Sequence, residues 1–215
     1  MIKQALDLFL HLDRHLNDWA GMLGPWLYAV LFAIVFCETG LVVTPYLPGD
    51  SLLFAVGALA ANADSPIRLP LVALLLCIAA VLGDAVNYAA GAWIGPKVFS
   101  KEDSPWLSRK HLLRAHAFYE RYGGKTILLA RFIPIVRTFA PFVAGIGAMS
   151  YSRFALFNVA GGVLWTCLFL FAGYHFAALP VVRQHFHYVV LAIIVISVIP
   201  VAVEFLRARR EPDPA

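Results

Sequence analysis

Charge is scarce in this chain. Asp, Glu, Lys and Arg make up 14% of its 215 residues, where a soluble domain carries about a quarter. Hydrophobic residues reach 61% and the mean hydropathy is +0.76. These values exclude an ordinary soluble domain and indicate an integral membrane protein, of a length that suggests one domain. Cysteine is scarce too. Cys37, Cys77 and Cys167 all lie inside apolar segments, at spacings that fit no zinc or redox motif. They read as small packing residues. The sequence contains no G-x-S-x-G elbow, H-E-x-x-H pair, Walker loop or G-x-G-x-x-G turn, so no catalytic residue, cofactor or enzyme activity is expected. His111 and His116 lie in a basic connector, and His175, His185 and His187 near a helix end. No metal site is expected from them. The N-terminus lacks the apolar core of a cleavable signal peptide, because Asp7, His11, Asp13, Arg14 and His15 interrupt it. Residues 1–20 read instead as an amphipathic helix lying at the membrane interface.

The charges that remain are placed unusually. Glu38 and Asp50 bracket a proline-broken apolar stretch that contains Pro45, Pro48 and Gly49. Arg131 and Arg137 bracket a second, with Pro134 between them and Pro141 beyond. An ionisable side chain at the bilayer centre costs about 2.5–3.5 kcal/mol on insertion scales, so four unpaired ones would cost on the order of 10 kcal/mol. Such residues face one another or a wet cavity, and they mark function.

The organisation follows from the apolar runs. Residues 25–61 form two arms, each too short for the roughly 20 residues of a span, with the break at 45–50. Proline cannot continue a regular helix and glycine permits the tight turn. Asp50 or Ser51 is placed to cap the second arm. This reads as a re-entrant hairpin whose tip lines a cavity, since irregular backbone at membrane depth must be satisfied by protein or water. Residues 69–94 form a transmembrane helix carrying Asp84, Asn87 and Tyr88, with Gly83, Gly91 and Gly95 for close contact. Residues 97–124 form a basic connector with a second interfacial helix. Residues 125–149 repeat the hairpin pattern, broken by Pro134 and Pro141. Residues 154–177 and 188–205 complete the set as transmembrane helices, and 206–215 is a basic tail. Phe54–Ala60 resembles Phe142–Ala148, and paired interrupted segments in two halves point to a central site between inverted repeats. The basic connector and the C-terminus fall on the cytoplasmic side by the positive-inside rule. Basic membrane flanks also account for these clusters better than nucleic-acid binding does. Trp93 and Trp165 fit either interfacial anchors or core aromatics.

Arginine suits phosphate, because its planar fork donates paired hydrogen bonds and keeps its charge when buried. Across the proline-broken turn Arg131 and Arg137 could converge on one anion, with Thr138 adding a hydroxyl. The alternative is that they only neutralise acids of the first hairpin. Glu38 and Asp50 are candidates for proton traffic, because burial opposes ionisation of a carboxyl and a nearby guanidinium favours it. A permanent ion pair, or for Asp50 a helix cap, is the alternative. Asp84 fits either a functional role or a helix-locking one, bonded to Asn or Tyr neighbours.

At these residues the sequence resembles the DedA family of membrane proteins, which shares a domain with eukaryotic VTT-type lipid scramblases. The carriers are Glu38…Pro45-x-x-Pro48-Gly49-Asp50, Gly83-Asp84…Tyr88…Gly91 and Arg131-Phe132-x-Pro134-x-x-Arg137-x-x-x-Pro141…Gly145. The match continues through Phe154, Asn158 and Gly161-Gly162-x-x-Trp165. The resemblance implies an all-α integral membrane protein with two re-entrant helical hairpins meeting from opposite sides of the bacterial inner membrane. It implies a flippase for the carrier lipid undecaprenyl phosphate, or for another phospholipid, that depends on the proton motive force and serves the cell envelope. By the resemblance Glu38 and Asp50 are the proton-linked acids and Arg131 and Arg137 the phosphate-binding arginines. Partners are then lipid, membrane and protons, and no nucleic acid. A proton-coupled transporter of a small soluble ion, a general phospholipid scramblase, a lipid phosphatase and an envelope scaffold are the rival readings. The oligomeric state is left open.

Overall fold

The computed structural model describes residues 22–41, 49–62, 65–98 and 124–176, with 179, 188, 189 and 192. The expected interfacial helices at 1–20 and within 97–124, the last span at 188–205, the tail at 206–215, and Pro45 and Pro48 lie wholly or mostly outside these residues. The protein is all-α: the described residues form six helices and no strand. They are α1 (Trp26–Gly40), α2 (Gly49–Ala60), α3 (Leu69–Val98), α4 (Lys125–Ala130), α5 (Pro134–Ile146) and α6 (Tyr151–Phe176).

Two of these helices are long and apolar enough to cross a membrane, over Leu69–Gly95 and Tyr151–Phe176. The exposed stripe of α3 is apolar, running through Leu71, Leu74, Ile78, Leu82, Val86 and Trp93. That of α6 runs through Leu156, Val159, Val163, Leu168 and Phe171. The buried set, by contrast, includes Glu38, Asp50, Asp84, Arg131 and Arg137. Apolar outside and ionic inside is the arrangement a lipid solvent favours and water does not. A helix apolar on both faces is also what a membrane span requires.

The short helices differ from the long ones because proline and glycine limit them. Pro134 stands at the first position of α5, where its missing N–H would be unpaired in any case. The break between α4 and α5 therefore falls at Arg131–Ile133, ahead of Pro134. Pro141 was expected to break this run as well, but α5 continues through it to Ile146. An interior proline removes one backbone bond, here to the carbonyl four residues earlier, and neighbouring helices in a membrane protein make up such losses. Asp50 lies inside the first turn of α2 rather than at its cap.

The packing exchanges arms between the two halves. The first arms stay home: α1 packs on α3, and α4 on α6. The second arms cross over: α2 packs on α6, and α5 on α3. The sequence likeness between Phe54–Ala60 and Phe142–Ala148 has a direct counterpart here. A Cβ added at Gly57 would overlap the Leu170 carbonyl, and one at Gly145 the Tyr88 carbonyl. In return, a Cβ at Gly173 would overlap the Phe54 carbonyl, and one at Gly91 the Phe142 carbonyl. Each crossing is thus a pair of glycines, each set against a carbonyl of the opposite helix, which is how small residues let membrane helices approach.

A graded result follows. Gly145→Ala should lower the melting temperature of the detergent-purified protein sharply, because the added methyl meets backbone that cannot move aside. Overpacking of this kind costs about 1–3 kcal/mol, occasionally more. Gly95→Ala should be mild, because its Cβ would stand 3.3 Å from Ile146 Cα. Equal shifts for the two variants would contradict the crossing geometry.

Candidate functional site

Glu38 closes α1, Asp50 opens α2 and Arg137 lies in the first turns of α5. All three are buried and meet. The Arg137 Nη2 donates to Glu38 Oε1 at 2.5 Å, and Nη1 donates to Asp50 Oδ1 at 2.8 Å. Glu38 Oε1 also accepts the backbone N–H of Gly49 at 3.2 Å, so this carboxylate ties the end of α1 to the start of α2. A side chain at Gly49 would occupy the place of the Glu38 carboxylate. The glycine is needed for this approach, whatever it contributes to the turn.

Trp165 of α6 completes the group. Its indole N–H donates to Asp50 Oδ1 at 2.8 Å. Its ring lies under the Arg137 guanidinium, 4.6 Å from Cζ to the ring centroid, within the range of a cation–π contact. It is among the largest fully buried side chains. Of the two sequence readings for Trp165, the core aromatic is the observed one, whereas Trp93 is exposed.

Arg131 caps the end of α4 and forms a second group. Its Nη2 donates to Asp84 Oδ2 of α3, to Asn158 Oδ1 of α6 at 2.6 Å and to the Ala80 carbonyl at 3.3 Å. The Asn158 amide in turn donates to the Val81 carbonyl at 3.0 Å. Gly161 and Gly162 make room for the arginine, since a Cβ on Gly161 would stand 3.1 Å from Arg131 Cδ. Asp84 thus pairs with an arginine, rather than with the Asn or Tyr neighbours that its helix-locking reading named. Tyr88 lies apart from both groups, its hydroxyl donating to the Met149 carbonyl and its ring stacked on Phe154 at 4.4 Å between centroids.

Of the two arginines, Arg137 pairs with the acids of α1 and α2, as the neutralising alternative had it, whereas Arg131 pairs with Asp84 of α3. Each takes its own acid or acids, and α6 supplies a polar side chain to both groups from one helical face. Asn158 and Trp165 are seven residues apart, two turns or about 10 Å along the axis. Asn87 of α3 links the two helix pairs directly. Its amide donates to the Thr39 carbonyl at 3.1 Å and to the Thr138 carbonyl at 2.7 Å. These are the residues next to Glu38 and Arg137. Thr138 itself is buried.

Some buried atoms in this centre have no hydrogen-bond partner among the described residues. They are Arg131 Nε and Nη1, Arg137 Nε, Glu38 Oε2, Asp84 Oδ1 and Asn87 Oδ1. Buried polar groups left unsatisfied in a native protein call for an explanation in function or in bound solvent. No cluster of His, Cys, Asp and Glu suited to a metal ion occurs among the described residues.

Sequence reasoning undervalued Trp165, Asn158 and Asn87. A signal was present for the first two: a polar residue, a glycine pair and a tryptophan fall at helical spacing on one face of an otherwise apolar span. Asn87 bonds to backbone carbonyls, which leave no trace in side-chain pattern.

The chain is also similar to known proteins. The VTT domain matches residues 47–175. Protein DedA of Escherichia coli K12 is 51% identical over 210 residues, covering 98% of this chain and 96% of its own length. An uncharacterized membrane protein of Mycobacterium tuberculosis H37Rv is 42% identical over 207 residues, covering 91% of each chain. Inner membrane protein YqjA of Escherichia coli K12 is 36% identical over 188 residues, covering 86% of this chain and 83% of its own. No solved structure matches the chain.

Proposed function

The chain belongs to the DedA family of VTT-domain membrane proteins, and from that premise we propose that it is a lipid-phosphate flippase of the bacterial inner membrane, with undecaprenyl phosphate as its substrate. The observation that carries the reading is the pair of buried guanidiniums with nitrogens that have no hydrogen-bond partner among the described residues. Phosphate is the ligand such forks suit best. The apolar faces of α3 and α6 leave the hydrocarbon tail in lipid while the headgroup enters the polar centre.

Protons enter through the carboxyls. A phosphate must compete with Glu38 and Asp50 for Arg137, and with Asp84 for Arg131. A protonated carboxyl is a weaker partner for a guanidinium than a carboxylate. Protonation therefore frees the arginines for the headgroup, and deprotonation on the far side returns them to their acids and expels it.

Reconstitution tests this. Liposomes containing the purified protein should move undecaprenyl phosphate between leaflets faster than empty liposomes, and the rate should depend on the pH on each side. Asp50→Asn should weaken that pH dependence, and Arg131→Ala should slow movement at every pH. Inorganic phosphate competing as well as the lipid would favour the transporter of a small soluble ion. A general scramblase would move phosphatidylglycerol as fast. Absence of accelerated movement for any phospholipid would overturn the proposal.

A further inference from the structure

The buried ionic centre does not balance its charges. Helix α1 contributes Glu38, α2 Asp50, α3 Asp84, α5 Arg137, and Arg131 stands at the end of α4. The buried face of α6 adds Asn158, Trp165 and Thr166 but no charge. The other charged or basic side chains described on these elements, Lys125, Arg153 and His175, are exposed, as is Arg68 before α3. The thiols Cys37, Cys77 and Cys167 and the phenol of Tyr88 bring no charge in their ordinary forms. Among the described residues, three carboxyls thus face two guanidiniums, and full ionisation would leave one negative charge in excess.

An uncompensated buried charge is costly, and the usual remedy is to bind a proton. The excess lies in the Arg137 group, where two acids share one guanidinium. Asp50 Oδ1 already takes two donors, from Arg137 and Trp165. Glu38 Oε2 has no partner among the described residues, which makes it the open position. Asp84 repeats the pattern, with Oδ2 on its arginine and Oδ1 without a partner among the described residues.

We infer that the centre by itself holds one proton, on Glu38 Oε2, and that Asp84 is a third proton-accepting carboxyl. A phosphomonoester dianion then enters together with two protons, one to Asp50 and one to Asp84. This inference rests on the lipid-phosphate reading and adds its proton stoichiometry. The charges balance at both ends. With three neutral carboxyls, two guanidiniums match a dianion. With the phosphate gone, two carboxylates match two guanidiniums and one proton stays. A monoanionic phosphodiester brings in one proton by the same count, and a neutral alcohol none.

Two measurements on the full-length protein test this. In weakly buffered detergent at about pH 8, where a phosphomonoester is close to a dianion, a pH-indicator dye should report about two protons taken up for each farnesyl phosphate bound. It should report about one for dihexanoyl phosphatidylglycerol and none for farnesol. Farnesyl phosphate bound without proton uptake overturns the stoichiometry. The second measurement needs no lipid and decides even where farnesyl phosphate does not bind, a failure that would count against the transport reading itself. Infrared spectra of the wild type at neutral pH should contain the C=O stretch of one buried protonated carboxyl. Asp84→Asn should remove it, because two acids then face two guanidiniums. Absence of the band in the wild type, its survival in Asp84→Asn, or its replacement by bound sodium when sodium is added would each overturn the inference.

Discussion

Arg137→Ala should reduce movement of undecaprenyl phosphate to the rate of protein-free liposomes. The guanidinium is the common partner of Glu38 and Asp50, and it also rests on the Trp165 ring. Removing one member of a buried ion pair typically costs about 3–5 kcal/mol, because the other member is left in an apolar medium without a counter-ion. Here two carboxyls are left. Stability in detergent should therefore fall by at least that order, and thermal denaturation should show it. The deficit should shrink as pH falls, since protonated carboxyls need no counter-ion. Arg137→Lys should restore part of the stability and less of the transport. An ammonium is a point charge and cannot place parallel donors on two acids while lying flat on an indole. Wild-type movement in an inserted, folded Arg137→Ala protein would remove Arg137 from the mechanism.

The second large effect is expected at Trp165. Truncation to alanine removes one of the largest fully buried side chains, and Trp→Ala changes in cores cost about 3–5 kcal/mol. The informative variant is Trp165→Phe. It keeps a smaller aromatic face for Arg137 and loses the N–H that holds Asp50, with part of the buried ring volume. A lost bond to a charged group is worth about 1.5–3 kcal/mol. Trp165→Phe should fold, retain binding of farnesyl phosphate and move lipid more slowly than the wild type, because Asp50 is no longer held in place against Arg137. An unchanged rate would make Trp165 a packing residue alone.

The four charged residues of the broken stretches were legible because cost singles them out: nothing else in a chain this apolar explains them. Their burial and opposite signs followed from the same reasoning. The pairing did not. Which acid meets which arginine depends on where α3 and α6 run, and nothing in the order of residues reveals that α5 docks on α3. Asp84 was ambiguous for this reason, since its partner is 47 positions away along the chain. The helix lengths of α1 and α2 were readable from the proline and glycine punctuation. Pro141 misled, because a helix supported by neighbours tolerates a missing donor that an isolated one would not. The likeness between the glycine-bearing arms was faint in sequence, yet it lies where backbones touch and side chains are excluded.

The exchange of second arms has a consequence for how the protein is made. Translation completes the N-terminal half first, and α2 then emerges with no docking surface, since that surface belongs to α6. Until residues near Gly173 have entered the bilayer, Asp50 lacks both Arg137 and Trp165, and it must wait in a provisional setting at the translocon or among headgroups. Neither half is a self-sufficient unit of assembly. Each supplies the mould for the other, and the ionic centre comes into being when α6 is threaded home.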